Sequence, residues 1–158
     1  MSRATLTRIG LDSNILAYFL AVRRLTDDGA KVVRTQAVID RLGDRGELIA
    51  PVQALGDLTV VLRRSGRTMS DAKEQVEALA ASFITAPSTE ATFRSALQLA
   101  SDHVLQFWDS LIIAASLEAG CTLLLSEDMQ DGFAVRGLTV VNPLLEKPHR
   151  ALAVLLDS

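Results

Sequence analysis

The sequence predicts an α/β fold, a short and mostly parallel central sheet flanked by helices, built as a single domain. Brief apolar runs of strand length alternate with longer segments whose apolar residues recur every three to four positions. Acidic residues follow two of those runs, at the kind of place where parallel sheets gather ligands. The chain has 158 residues, 49% hydrophobic and 22% charged, enough for one sizeable core and too apolar for disorder. Aromatics are only 4%, so Leu, Val, Ile and Ala must fill that core.

The elements follow in order. Residues 8–11 form a short strand that stops at Asp12. Ile15, Leu16, Phe19, Leu20 and Val22 then share a helical face, which Asp12 or Ser13 can cap with a side-chain oxygen. The polar stretch 23–28 ends that helix, and Gly29 marks a loop. A second helix is predicted over 31–42, ended by 43–46, and a strand over 47–50. Pro51 suits the first turn of a helix running to Arg64, because its missing amide hydrogen has no partner to lose there. Ser70 with Asp71 caps the next helix, which leads into a strand over 83–86. Ser88 or Thr89 starts a helix through Ala100, and 101–103 reads as a loop. A strongly apolar helix follows over about 105–119, stopped by Gly120. Strands are predicted at 122–125 and 137–141, and 151–156 is apolar enough to dock as a helix. There is no internal repeat and no linker, so 1–158 reads as one domain.

Sixteen Lys and Arg against nineteen Asp and Glu give a net charge of −3, which excludes coating nucleic acid by bulk charge. The single Cys121 excludes a disulfide framework and a thiolate zinc cage. Residues 1–8 lack the apolar region of a secretory signal, and the apolar stretch 111–117 is far short of a membrane span. A cytoplasmic, soluble protein without membrane contact is the expectation.

Carboxylates are therefore the main candidates for chemistry. Asp12 follows the first strand, and Asp128 lies just past the strand ending at Leu125. Asp109 shares a helical stripe with Leu105, Trp108, Ile112, Ala115 and Ser116, and Asp57 lies among Leu55, Leu58, Val60 and Val61. A carboxylate on an apolar stripe is expensive to bury unless it is paired or binds a cation. Singly, each acid is explained by a cap, an ion pair or a solvated edge. Jointly they point to a divalent-metal site with oxygen ligands.

Three stretches carry a family resemblance. Ile9-Gly10-Leu11-Asp12-Ser13-Asn14-Ile15-Leu16-Ala17-Tyr18 resembles the opening of PIN-domain ribonucleases. Phe107-Trp108-Asp109-Ser110-Leu111-Ile112-Ile113-Ala114-Ala115 resembles their third motif. Leu124-Leu125-Ser126-Glu127-Asp128-Met129-Gln130-Asp131-Gly132 resembles their fourth. Order and spacing agree over about 8–143, leaving 144–158 as a C-terminal tail, and the nearest subgroup is the VapC-like toxins of type II toxin–antitoxin pairs.

The resemblance implies a PIN-like domain and a Mg²⁺-dependent endoribonuclease, Mn²⁺ being a possible substitute. It places metal ligands at Asp12, Asp109 and Asp128, and a fourth catalytic acid at Asp57, where the family usually has Glu. Ser13, Asn14 and Ser126 would orient those acids, and Asp131 before Gly132 suits a turn better than an outer ligand. It also implies an RNA substrate, a cognate antitoxin and a homodimer.

Phosphate contacts call for cations, and thirteen of the sixteen basic residues are Arg. Arg63, Arg64 and Arg67 form the densest cluster, with Arg23 and Arg24 second; solvated helix ends explain the first group equally well. Trp108 reads as core, and His103 and His149 as surface or packing residues. Two rival functions stand beside the nuclease. One is a PIN-fold RNA-binding protein with a weakened site, suggested by Asp57. The other is a metal-dependent phosphatase or receiver domain, disfavoured by Asn14 where a second Asp would stand.

Overall fold

A computed structural model of the chain describes residues 6–22, 25–26 and 28–158. The polar Arg23 and Arg24, the second basic cluster of the sequence, lie outside the described residues. In chain order the elements are β1 (Thr7–Leu11), α1 (Ser13–Phe19), α2 (Gly29–Gly43), β2 (Gly46–Pro51), α3 (Val52–Arg64), α4 (Met69–Ser82), β3 (Ile84–Ala86), α5 (Glu90–His103), α6 (Phe107–Glu118), β4 (Leu123–Leu125), β5 (Ala134–Val135), β6 (Leu138–Val141) and α7 (Arg150–Asp157).

The strands form one sheet in the order β3-β2-β1-β4-β6-β5. Every pairing is parallel except β5 with β6, so the α/β expectation holds. After β1 the chain builds outward through β2 and β3, then returns to the other side of β1 for β4. The reversal opens a crevice beyond the carboxyl ends of β1 and β4, where ligands bind in sheets of this kind. Leu11 is in register with Leu125, and the Asp12 amide donates to the Leu125 carbonyl at 3.0 Å, so the residues after both strands enter one place.

The core is the aliphatic one that the composition requires. Ile9 and Leu11 of β1, Ile49 of β2, Leu124 and Leu125 of β4, and Ile112 and Ile113 of α6 are all buried. Burying a side chain of this size contributes roughly 1.5–3 kcal/mol, and these residues lie in one continuous cluster with Leu58 and Leu62 of α3.

Several boundaries differ from the sequence expectations. Gly29 opens α2 instead of marking a loop, with Asp28 at its N-cap position. Helix α1 stops at Phe19, not Val22, because Ala21 is left-handed at φ 61°; Val22 stays buried through its amide bond to the Ala17 carbonyl. Pro51 closes β2 and precedes α3 instead of standing inside it. Thr68, not Ser70 or Asp71, caps α4, accepting from the Asp71 amide. Residues 101–103 continue α5, and the break comes at Val104, left-handed at φ 54°. Helix α6 starts two residues later than expected, after Gln106. Strand β5 was not expected. It folds onto β6 across Arg136 and Gly137, at φ 49° and 86°, the two positive values that a type I′ hairpin turn needs. The tail does dock: α7 buries Leu152, and the Arg41 side chain donates to the Leu156 carbonyl.

Candidate active site

Asp12 stands where β1 ends and α1 begins. Its backbone is extended (φ −77°, ψ 163°), so it serves as the N-cap, and its Oδ1 accepts from the Ser13 amide at 2.7 Å. Its Oδ2 accepts from the Ser126 hydroxyl at 2.7 Å, with the Asn14 amide group at 3.5 Å. The capping role therefore occupies Oδ1, while Ser126 and Asn14 hold Oδ2. Asp12 is only 4% exposed, and burial pushes its carboxyl up to about 6. The bonds from Ser126 and Ser13 oppose that rise, whereas the charges of Asp109 and Asp128 add to it.

Residues from the two strand ends are tied together across the crevice. Asn14 donates through Nδ2 to Asp128 Oδ2 at 3.1 Å and accepts from the Glu127 amide at 3.2 Å. Ser126, fully buried, also accepts from the Met129 amide at 3.1 Å. Asn14 and Ser126 thus stand beside the acids where the sequence expects orienting groups. Ser13 takes part through its backbone amide.

Asp109 comes from the first turn of α6, where a carboxylate also meets the positive end of the helix dipole. Burial is the largest cause raising its carboxyl, followed by the charges of Asp128 and then Asp57. Asp57 is half-buried on α3, where burial raises its carboxyl and a 3.0 Å bond from Gln53 works against that rise. Asp109 is thus the hinge of the group, feeling Asp128 and Asp57 while Asp12 feels Asp109 and Asp128.

Four acids from four distant stretches thus influence one another by charge. Repulsion within such a group favours protons or a cation among its members. Among the described residues, no three His, Cys, Asp or Glu side chains converge closely enough to form a ready metal cage. The donor chemistry nevertheless fits a hard divalent ion, because every candidate ligand is a carboxylate oxygen.

The other expected site residues fare differently. Asp131 stands in a turn with Gly132, and its side chain accepts from the Asn142 amide at 2.7 Å, tying that turn to the end of β6. Arg63 donates to the Arg67 carbonyl at 2.8 Å and Arg67 to the Ser65 hydroxyl at 2.6 Å, closing the end of α3. Arg64 is exposed on the same turn, about 10 Å along the helix axis from Asp57. The structure therefore does not bring this cluster to the acids. The stripe around Asp57 is also narrower than expected, since Val60 is 48% exposed. Trp108, expected in the core, is 55% exposed beside Asp109, its ring set edge-on to Phe107. His103 is exposed with its ring against Phe133, and His149 accepts from the Ala151 amide as the cap of α7.

Sequence reasoning missed a network on the rim. The Tyr18 hydroxyl donates to Glu127 at 2.8 Å, and Lys31 pairs with the other Glu127 oxygen at 2.9 Å. Burial, then Glu127, pushes the Tyr18 phenol up to about 12, and the Glu127 contact raises Lys31. Glu127 lies between two of the expected site residues, Ser126 and Asp128, and that adjacency was the available signal.

A model of the PIN domain family matches residues 9–134. No curated protein matches the sequence. Among solved structures, a chain of a toxin–antitoxin complex from Klebsiella pneumoniae is similar with a TM-score of 0.62 at 14% identity, covering 85% of this chain and 97% of its own. VapBC2 from Rickettsia felis, bound to a DNA fragment from its promoter, matches with a TM-score of 0.63 at 11% identity over 86% of this chain and 98% of its own. VapC20 of Mycobacterium tuberculosis, a toxin that cleaves the sarcin–ricin loop, matches with a TM-score of 0.55 at 16% identity over 73% and 86%. At these identities the likeness is one of fold.

Proposed function

The chain belongs to the PIN domain family, whose model spans most of its length, and from that premise we propose that it is a divalent-metal-dependent endoribonuclease, the toxin of a toxin–antitoxin pair. The observation that carries this reading is the tie between the two strand ends, Ser126 bonded to Asp12 and Asn14 bonded to Asp128, with the charge of Asp109 felt at Asp12. Asp12, Asp109 and Asp128 would hold Mg²⁺ or Mn²⁺. Such an ion, when bound, supplies acidity to an attacking water and positive charge to the scissile phosphate. Asp12 is kept aimed by the Ser13 amide and the Ser126 hydroxyl, and Asn14 holds Asp128 toward it. Asp57, tethered to Gln53, would be the fourth acid, its charge felt at Asp109.

The partners belong to the same proposal. An RNA strand is the substrate, an antitoxin covers the acidic crevice, and the active form is a homodimer in the cytoplasm. One fold neighbour comes from a toxin–antitoxin complex, another is VapBC2, and the third is a toxin that cleaves the sarcin–ricin loop; all three support the reading. Among the described residues no helix is long and apolar enough to cross a membrane.

The test is cleavage of a mixed structured-RNA pool by antitoxin-free protein, with Mg²⁺, with Mn²⁺ and with chelator. Wild type should cut only with metal, and Asp12→Asn should be inactive while its circular dichroism stays native. Cutting by Asp12→Asn at the wild-type rate would overturn the assignment. One observation favours a binding-only variant of the reading: Asp57 is a methylene shorter than Glu and is engaged by Gln53. RNA binding without turnover, with cleavage appearing in Asp57→Glu, would establish that variant.

A further inference from the structure

A cavity of about 140 Å³ opens directly beside the acids, with Asp109 and Asp128 on one side. Ile113 of α6 and Met129 and Phe133 of the loop between β4 and β5 line it with apolar surface, and Gln130 stands exposed in its wall. A cavity of about 150 Å³ lined by such side chains holds one benzene-sized ring. The volume therefore matches a single six-membered ring and is small for a fused purine.

The wall is built, not left over. The Met129 amide is held by the Ser126 hydroxyl at 3.1 Å, and the Phe133 amide donates to the Gln130 carbonyl at 3.2 Å. Gly132 and Val140 then tie the turn to β6 by two 2.8 Å bonds, Gly132 N–H to the Val140 carbonyl and Val140 N–H to the Phe133 carbonyl. Gly132 sits at φ +85°, a backbone that favours glycine and lets Phe133 turn inward. The Phe133 ring is braced from outside by His103, edge-on with centroids 5.4 Å apart.

From these features we propose that the cavity is the seat for one pyrimidine base of the RNA, splayed out next to the bond that is cut. The inference rests on the nuclease reading for its substrate class and adds a specificity determinant to it. Single-stranded RNA is read by unstacking bases onto aromatic side chains and hydrogen-bonding their edges. Phe133 supplies the aromatic contact. Gln130 supplies an amide with both donor and acceptor, matched to the mixed edge of uracil or cytosine. Because Asp109 and Asp128 line the cavity, a base seated here has its own phosphate at the acid group.

The test has two independent readouts. The first is cleavage of single-stranded oligonucleotides carrying one uridine or cytidine in an adenosine background, or the reverse. Wild type should cut beside the pyrimidine, and Gln130→Ala should lose that preference. Equal cutting beside purine and pyrimidine would overturn the pocket and leave the nuclease standing. The second is binding of uridine and adenosine, which bring no phosphate against the acids, to metal-free Asp12→Asn protein, followed by nuclear magnetic resonance. Uridine should bind more tightly, and Phe133→Leu, which keeps an apolar side chain, should weaken it at least about fivefold, the lower end of a base–aromatic contact. If no RNA is cut in any metal, this preference alone upholds or overturns the base seat. Absence of nucleoside binding, with Phe133→Leu altering only the oligomeric state, would overturn it in favour of a protein contact.

Discussion

Asp12 carries two duties that pull its ionisation in opposite directions. As an N-cap it is favoured as a carboxylate, yet burial and two neighbouring acids raise it to about 6 from the ordinary 3.8. Between those values the folded state holds a proton that the unfolded state has released, so metal-free stability falls as pH rises through that window. Removing the charge reverses the effect. Asp12→Asn, in chelator, should be more stable than wild type at neutral pH. The advantage should grow by on the order of 1 kcal/mol between about pH 5 and about pH 7.5. Urea unfolding at the two pH values measures it, and a difference independent of pH would show that hydrogen-bond loss, not charge, governs the site. The position of this residue was legible because a strand, an acid and a helix are consecutive in sequence. The Asn14–Asp128 and Ser126–Asp12 bonds span more than a hundred residues, and no local pattern encodes such pairings. Trp108 misled because apolarity alone does not say which side of a helix is open.

At the scale of elements, β1 and α6 meet more closely than ordinary side chains permit. A Cβ placed on Gly10 would lie 2.8 Å from the Ser116 hydroxyl and 3.1 Å from a Leu124 methyl. Ser116 is itself buried and turned back to the Ile112 carbonyl at 2.8 Å, so it has little room to give. Gly10→Ala should therefore destabilise the protein by about 1–3 kcal/mol, the usual cost of overpacking. Ser116→Ala in the same background should recover part of that loss, because it removes the nearer atom. A double-mutant cycle by denaturant unfolding reads the coupling, and strictly additive effects would contradict the contact. Strand and helix periodicity made nearly every element legible, since each long segment keeps its pattern. Boundaries failed where single residues adopt left-handed backbone, at Ala21 and Val104, and where Arg136-Gly137 makes the hairpin turn that Asn-Gly ordinarily signals. Neither Ala nor Val announces such a conformation in sequence.

Over the whole molecule, the sheet is divided by its own topology, and α7 joins the parts. The half built from β2 and β3 carries α2 before it, and the half built from β4 and β6 ends the chain's strands. Helix α7 packs on both α2 and β6, burying Leu152 completely, with Arg41 and Arg45 of the α2 end bonded to Leu156 and Ser158. Its place therefore bridges the two sides of the crevice from behind, away from the acids. If this clasp is part of the cooperative core, Leu152→Ala should cost about 2–5 kcal/mol, as for other buried leucines, with a single unfolding transition and an unchanged m-value. If α7 is only an appendage, the same substitution should change the midpoint by less than about 0.5 kcal/mol, as surface changes do. RNA cleavage per folded molecule should be unaltered in the first case, because none of the residues tying Asp12, Asp128 and Asn14 together touches this helix. A loss of turnover without a loss of stability would instead mean that the clasp sets the spacing of the strand ends, and with it the geometry of the four acids.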